Sequence, residues 1–203
     1  MNYFVTGIDT DSGKTLVSAI LCEALQADYW KPVQAGLPRD SDTVKGLISN
    51  TKTVIHPESY LLKTPASPHA AAKIDNINIS LSYFKLPLTN NAIIIEGAGG
   101  CLVPLNDRAF IVDMIPIFNA EVILVADLYL GSINHTLLTI EALQKRNLYI
   151  KGIIFNGDSN PESERIILVH SKLKCLLRIT KEETITKAVV KKYAERLKEN
   201  WNE

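Results

Sequence analysis

The feature that constrains this chain most is a short loop, bounded by two glycines, between an apolar segment and an amphipathic one. The loop runs from Gly7 to Thr15 and reads Gly-Ile-Asp-Thr-Asp-Ser-Gly-Lys-Thr. Before it, Tyr3–Thr6 has the length and residue types of a buried strand, and after it Lys14–Ala27 has the period of a helix. A strand, glycine-bounded loop and helix in this order point backbone N–H groups and the positive end of the helix dipole at phosphate groups. The segment therefore predicts a P-loop.

Two side chains of this loop have roles that the chemistry of phosphates suggests. Lys14 is placed to bridge the β- and γ-phosphates of a nucleotide, and the Thr15 hydroxyl is placed to bind magnesium. The loop departs from the common pattern, because five residues rather than four separate Gly7 from Gly13. It is the variant Gly-x-Asp-Thr-x-x-Gly-Lys-Thr.

Short apolar runs alternate with helical patterns along the rest of the chain. The further predicted strands are Tyr29–Val33, Ala92–Glu96, Val122–Ala126 and Ile150–Phe155. The further predicted helices are Asp42–Ser49, Ile111–Phe118, Ile133–Arg146, Pro161–Leu173 and Glu182–Asn200. Strands that are apolar on both faces are typical of parallel sheets covered by helices. We expect an α/β fold, a doubly wound and mostly parallel sheet flanked by helices, as in P-loop NTPases.

Length and composition limit the domain count and the partners. The 203 residues suit one P-loop α/β domain over 1–203, with loops and short helices expected over Thr51–Thr89. Lysine and arginine number 22 against 22 acidic residues, which argues against nucleic acid as the main partner. No apolar run approaches the roughly 20 residues that span a bilayer, and three scattered cysteines suggest a reducing compartment. We expect a cytoplasmic protein with no nucleic-acid or membrane partner.

Carboxylates and a second lysine are candidates for the site around a nucleotide-bound Mg²⁺, which needs hard oxygen ligands. Glu96 ends a buried strand and opens Gly97–Gly100, either at a ligand crevice or as a solvated strand end. Asp42 suits either a metal ligand or a helix N-cap. Lys31, within the second predicted strand, is either a solvated residue or part of the site. The residue pattern alone leaves these alternatives open.

Seven separated segments match the motifs of one family. In chain order they are Gly7–Thr15, Lys31–Gln34, Ser41–Asp42, Ser67–His69, Glu96–Gly100, Leu130–His135 and the strand end at Asn156. By these motifs the chain resembles the dethiobiotin synthetases. The resemblance implies an ATP- and Mg²⁺-dependent ligase that closes the cyclic urea of dethiobiotin on 7,8-diaminononanoate with CO2, releasing ADP and phosphate.

The resemblance also implies roles for individual residues. It assigns catalysis to Lys31, Lys14 and Thr10, and magnesium binding to Thr15, Asp42 and Glu96. The implied nucleotide-binding set is Asp11, Ser12, Gly13, Lys14, Thr15, Leu16, Asp42, Glu96, Gly97, Ala98, Gly99 and, at the adenine, Asn156. The implied substrate-binding set is Ala35, Gly131, Ser132, Ile133 and Asn134. In the family the last four come from the neighbouring subunit, which implies a homodimer.

The chain departs from the family pattern at three places. The family usually has serine or threonine where this chain has Ala35, and a tyrosine expected in the helix after Asn156 has no counterpart. The expected nucleotide-base loop near residues 175–182 lacks its usual proline. A related P-loop ligase or kinase acting on another small carboxylated amine is therefore one alternative. A partition-type regulatory ATPase is another, although Asp9 stands where such proteins have a signature lysine.

Overall fold

The computed structural model describes residues 1–201 and contains nine strands. In chain order the strands are β1 Asn2–Gly7, β2 Asp28–Trp30, β3 Val33–Ala35, β4 Ile55–His56, β5 Tyr60–Leu62, β6 Ile93–Gly100, β7 Glu121–Asp127, β8 Ile150–Asn156 and β9 Cys175–Ile179. Seven of them form one sheet in the order β4-β2-β6-β1-β7-β8-β9, while β3 and β5 pair separately. All neighbouring strands in both sheets run parallel.

Helices cover both faces of the large sheet. They are α1 Lys14–Leu25, α2 Asp40–Leu47, α3 Pro68–Ile74, α4 Met114–Ile117, α5 Ser132–Gln144, α6 Pro161–Ser171 and α7 Lys187–Trp201. Side chains of α1, α2 and α7 pack in one apolar cluster, and those of α3 to α6 pack in the other. Strand β1 contributes to both, since Phe4 faces the second cluster whereas Tyr3 and Val5 face the first. The predicted doubly wound α/β fold is confirmed.

The helices do not include a membrane span. Among residues 1–201, none combines the length and the apolar character needed to cross a bilayer.

The predicted strand Tyr29–Val33 is wrong, because the structure breaks it in two. Strand β2 ends at Trp30, and β3 begins at Val33 in the smaller sheet. Between them Pro32 has no N–H to donate to a ladder, while its carbonyl accepts hydrogen bonds from the segment that leads into β5. Lys31 therefore lies at the carboxyl end of β2 and not within a strand.

Two further predicted elements differ from the structure. Cys175–Ile179, expected to lie in a nucleotide-base loop, is instead edge strand β9, paired with β8. Leu176, Leu177 and Ile179 are buried, whereas Arg178 is exposed. Because of this mixed pattern, the strand was not predicted from the sequence. The C-terminal helix begins at Lys187 rather than Glu182. Glu182 instead accepts hydrogen bonds from Lys192 and Tyr193 on that helix.

The remaining boundaries differ less. Strand β6 continues through the glycines to Gly100. The predicted helix Ile111–Phe118 is a 3-10 turn followed by the four residues of α4, and Asn119 with a φ of 46° ends it. The Thr51–Thr89 segment holds α3 and a 3-10 turn, as expected, but also β4 and β5.

A buried carboxylate fixes the edge of the sheet that carries Lys31. Asp28 starts β2, and its Oδ1 accepts hydrogen bonds from the Val54 N–H at 3.0 Å and from Asn91 Nδ2 at 2.9 Å. Its Oδ2 accepts from Thr89 Oγ1 at 2.7 Å and lies 2.9 Å from His56 Nε2. Burial opposes its ionisation, but these hydrogen bonds hold the pKa of Asp28 below its usual value. One side chain thus joins β2 to β4 and to the segment before β6.

We expect Asp28→Ala to lower the free energy of unfolding by about 3 kcal/mol, because several buried donors lose their acceptor. Urea titration measures this, and Asp107→Ala, at an exposed loop position, should change stability by less than about 0.5 kcal/mol. Because the folded-state pKa is lowered, the stabilisation is present above pH 3.8 and is lost as the pH falls through the folded-state value. If Asp28→Ala and Asp107→Ala changed the free energy of unfolding equally, the proposed role of Asp28 in holding this edge of the sheet would be contradicted.

Candidate active site

A cavity opens at the carboxyl ends of β1, β2 and β6, where a ligand crevice is expected in a doubly wound sheet. Its volume is about 560 Å³. The predicted site residues that line it are Thr10, Asp11, Lys14, Thr15, Lys31, Ala35, Glu96, Ala98 and Gly99. The structure therefore brings together, in one cavity, predicted site residues from three separated segments of the sequence.

Close packing explains the two glycines of the P-loop. A Cβ on Gly7 would lie 2.0 Å from Ser12 Oγ, so the loop has no room for a side chain there. Gly13 has a φ of +96°, and a Cβ on it would lie 2.2 Å from Asn156 Nδ2. Both positions thus need glycine, one for space and the other also for its left-handed backbone.

Lys14 lies across the loop that precedes it. Its Nζ donates to the carbonyl oxygens of Asp9 and Thr10, both at 2.8 Å. Burial lowers the pKa of Lys14 to about 8, although the nearby Glu96 carboxylate acts in the opposite direction. The loop therefore holds a poorly hydrated ammonium group at the bottom of the cavity, where it can interact strongly with an anion.

The centre of the site is the buried carboxylate of Glu96. Its Oε1 accepts hydrogen bonds from Lys31 Nζ at 2.9 Å and Thr15 Oγ1 at 3.0 Å, and its Oε2 accepts from Tyr29 Oη at 3.0 Å. The pairing of β2 with β6 creates this contact, since Trp30 lies opposite Ile95. Glu96 is 1% exposed and Lys31 5% exposed, so neither is a solvated surface residue.

Lys31 remains an ammonium group despite its burial. Burial alone lowers the pKa of Lys31, but the carboxylates of Glu96 and Asp40 together raise it above the usual lysine value. The cavity thus contains two lysine ammonium groups, on Lys14 and Lys31, and both interact electrostatically with Glu96.

Two oxygen atoms, one on Thr15 at the start of α1 and one on Glu96 in β6, suit a nucleotide-bound Mg²⁺. Thr15 Oγ1 and Glu96 Oε1 are 3.0 Å apart, and both are hard oxygen ligands. No group of three or more histidine, cysteine or acidic residues that could hold a metal occurs in residues 1–201. Mg²⁺ commonly binds through one or two carboxylates together with substrate phosphates.

The structure separates Asp42 from these groups. Its carboxylate accepts from Arg39 Nε at 2.9 Å and from Arg39 Nη2 at 2.8 Å, and its side chain is 56% exposed. The cap alternative is wrong, because Asp42 lies inside α2 and Arg39 occupies the N-cap. Asp40, which the sequence analysis missed, lines the cavity and pairs with Lys31. Residues two apart on a helix point about 200° apart, so only one of them faces the cavity.

Besides Asp42, five residues of the predicted nucleotide-binding set do not line the cavity: Ser12, Gly13, Leu16, Gly97 and Asn156. Asn156, at the end of β8, donates from Nδ2 to the carbonyl oxygen of Ser12 at 2.9 Å. Ser12 is buried and donates from Oγ to the Asp9 carbonyl at 3.0 Å. Leu16 lies in α1 and Gly97 in β6. These contacts support the loop, and the adenine contact of Asn156 stays a prediction.

The predicted substrate-binding segment lies elsewhere in the chain. Gly131 is the N-cap of α5, with a φ of +110°, and Ser132, Ile133 and Asn134 form the first turn of that helix. None of these four lines the 560 Å³ cavity. Beside them, Tyr129 and Leu130 expose apolar surface.

Comparison with known proteins gives three results. The family model described as an AAA domain matches residues 1–189. The ATP-dependent dethiobiotin synthetase of Cytophaga hutchinsonii is 60% identical over 203 residues, covering 99% of this chain and 98% of the relative. That of Christiangramia forsetii is 50% identical, covering 97% and 96%. Among solved structures, a ParA family ATPase from Chlorobium tepidum superposes with a TM-score of 0.60 at 13% identity, covering 98% of this chain and 95% of that one.

We expect Gly13→Ala to weaken nucleotide binding by about 30-fold, roughly 2 kcal/mol, because the left-handed backbone and the contact with Asn156 both oppose a methyl group. Titration with a fluorescent ADP analogue measures this. The matched control is Gly46→Ala, within α2, where a Cβ meets nothing within 4 Å. It should leave nucleotide affinity unchanged and raise the free energy of unfolding by about 0.5–1 kcal/mol. Unaltered nucleotide affinity in Gly13→Ala would refute this account of the loop.

Proposed function

This chain belongs to the ATP-dependent dethiobiotin synthetase family, and we propose that the cavity between its P-loop and Lys31 is the active site. The protein is an ATP-dependent ligase of biotin biosynthesis that forms dethiobiotin from 7,8-diaminononanoate and CO2, releasing ADP and phosphate. The observation that carries the site assignment is the pair of lysine ammonium groups, Lys14 and Lys31, in one cavity with the buried Glu96.

The reaction proceeds in three steps, through anionic intermediates. One amine of the substrate attacks CO2 and loses a proton, which gives a carbamate. A carbamate oxygen then attacks the γ-phosphorus of ATP and ADP leaves, which gives a mixed carbamic–phosphoric anhydride. The second amine attacks the anhydride carbon, loses a proton and expels phosphate as the ring closes. None of these steps needs a nucleophile from the protein, so the protein contributes positioning and electrostatic stabilisation.

The three catalytic residues that we propose differ in position. Lys14, at the bottom of the P-loop, stabilises the transferring phosphoryl group. Lys31 stabilises the carbamate, because its ammonium group is buried, protonated and held by Glu96 at 2.9 Å. Thr10 lines the cavity beside Gly99 and positions the phosphates against the substrate. Burial of Lys14 and Lys31 strengthens their electrostatic interactions.

A bound Mg²⁺ neutralises charge on the nucleotide phosphates. Thr15 and Glu96 would be the ligands that the geometry favours. Asp42, the third ligand implied by the resemblance, is instead paired with Arg39 in this structure. The backbone of Asp11–Leu16 and the glycine turn Gly97–Gly99 surround the phosphates. Asn156 places the adenine toward β8, on the side of the P-loop away from Lys31.

We further propose that the protein is a homodimer acting in the cytoplasm, with residues 1–203 as one domain. Gly131–Asn134 lie outside the cavity of their own chain, next to the exposed apolar side chains of Tyr129 and Leu130. A partner's copy of this segment would supply backbone N–H groups for the substrate carboxylate, opposite Ala35 in the cavity. The sequence has three scattered cysteines, Cys22, Cys101 and Cys175, and this sparse usage is the basis for proposing a reducing compartment.

Incubation of the purified protein with diaminononanoate, bicarbonate, ATP and Mg²⁺ should yield dethiobiotin, detected by mass spectrometry. Lys31→Gln should lower kcat by about 100-fold or more, because one charge partner of the transition state is lost. A glutamine can still donate to Glu96, so binding of a fluorescent ADP analogue should change by less than about twofold and serves as the folding control. Absence of product despite nucleotide binding would overturn the proposed reaction, and a fully active Lys31→Gln would overturn the role of Lys31.

A shared active site predicts complementation between two inactive variants. Asn134→Ala should raise the KM for the diamine, and it should be nearly inactive at low substrate, as Lys31→Gln is. Mixing the two and allowing subunits to exchange should restore roughly a quarter of the wild-type rate, since half of the dimers are mixed and each has one intact site. If each site is built from one chain, no activity returns. Analytical ultracentrifugation of the same samples reports whether dimers are present.

A further inference from the structure

Asp40 is held in place by the loop that precedes α2. Its backbone N–H donates to Gln34 Oε1 at 3.1 Å, and Gln34 Nε2 donates to the Gly36 carbonyl at 3.1 Å. Gln34 is itself buried, at 4% exposed. The start of α2 is therefore fixed against the end of β3, and the Asp40 side chain has a defined place at the cavity wall.

Asp40 is the carboxylate of this part of the cavity that remains accessible to a ligand. Its side chain is 28% exposed, whereas that of Glu96 is fully buried and its two oxygens already accept three hydrogen bonds. The Asp40 carboxylate forms an ion pair with Lys31. An ionised carboxylate accepts several hydrogen bonds, so Asp40 can bind a second cationic or N–H group from the cavity side.

A chain of contacts connects Asp40 to the phosphate end of the cavity. Glu96 accepts from Thr15 and from Lys31, and Lys31 in turn pairs with Asp40. Asp40 is therefore linked to Thr15 through Lys31 and Glu96. The walls on the Asp40 side are largely apolar, formed by Ala35, Leu37, Pro38 and Pro65. An accessible carboxylate beside apolar walls is suited to an amine carried on an alkyl chain.

We propose that Asp40 binds an amino group of the diamine substrate and determines the preference of the cavity for a diamine. This inference rests on the proposed function. Aliphatic amines have pKa values of about 10.4 and enter as ammonium groups at neutral pH. Lys14 and Lys31 repel such a substrate, and Glu96 is too deeply buried to reach it. The Asp40 carboxylate offsets this repulsion with a charge-assisted hydrogen bond.

The test compares the diamine with its two amino-alcohol analogues, in each of which one amine is replaced by a hydroxyl group. Their affinities are measured by isothermal titration calorimetry in the presence of Mg²⁺ and a non-hydrolysable ATP analogue. The wild type should bind the diamine about 10-fold or more tightly than at least one analogue. Asp40→Asn should lose that preference, and Asp40→Glu should retain part of it. Asp107→Asn, on an exposed loop, is the control with wild-type behaviour.

The outcomes separate this proposal from the proposed function and from other roles of Asp40. Equal weakening of the diamine and both analogues in Asp40→Asn would mean that Asp40 acts only by positioning Lys31, and would overturn the proposal. If Asp40→Asn bound Mg²⁺–nucleotide more weakly but kept the preference for the diamine, Asp40 would be a metal ligand. That result would also overturn the proposal. A wild-type protein that makes no dethiobiotin would instead refute the proposed function. Unchanged thermal midpoints of the variants exclude unfolding as the cause.

Discussion

The buried carboxylate of Glu96 connects three parts of the chain that are distant in sequence. It accepts hydrogen bonds from Thr15 after the P-loop, from Tyr29 in β2 and from Lys31 beyond β2. An unpaired carboxylate at this depth would be very costly, so each partner is needed to keep the charge buried. The same contacts set the distance between the P-loop and Lys31. Stability of the central sheet and positioning of the active site therefore depend on one group.

Much of the fold could be predicted from the sequence, because the spacing of apolar residues along a strand indicates which faces of that strand are buried. Strands β1, β6, β7 and β8 are apolar on both faces and were predicted within a few residues. Edge elements were harder to predict. Strand β9 includes the outward-pointing Arg178, and Pro32 divides an otherwise continuous apolar run. Neither the pairing partner of an edge strand nor the point where a chain leaves a sheet is encoded in local periodicity.

The site was predictable where a motif fixes both the residue and its backbone, as in Gly13–Thr15. It was less predictable where orientation on a helix decides which side chain reaches the cavity. Asp40 and Asp42 flank Ser41 and look equivalent in the sequence, but only Asp40 lines the cavity. The likeness to a ParA family ATPase at 13% identity extends to the fold alone. The features that distinguish this ligase, Lys31 and the glycine turn after Glu96, were visible as motifs.

The resting position of Lys14 affects which anions the P-loop can retain. Its ammonium group already has two carbonyl acceptors, at 2.8 Å each, in the loop itself. An incoming anion gains only the difference between its own contact and the ones it displaces. A small anion with one contact gains little, whereas a polyphosphate that also engages the loop N–H groups and Mg²⁺ gains much more. By this comparison, inorganic phosphate gains less from the loop than a nucleotide polyphosphate does.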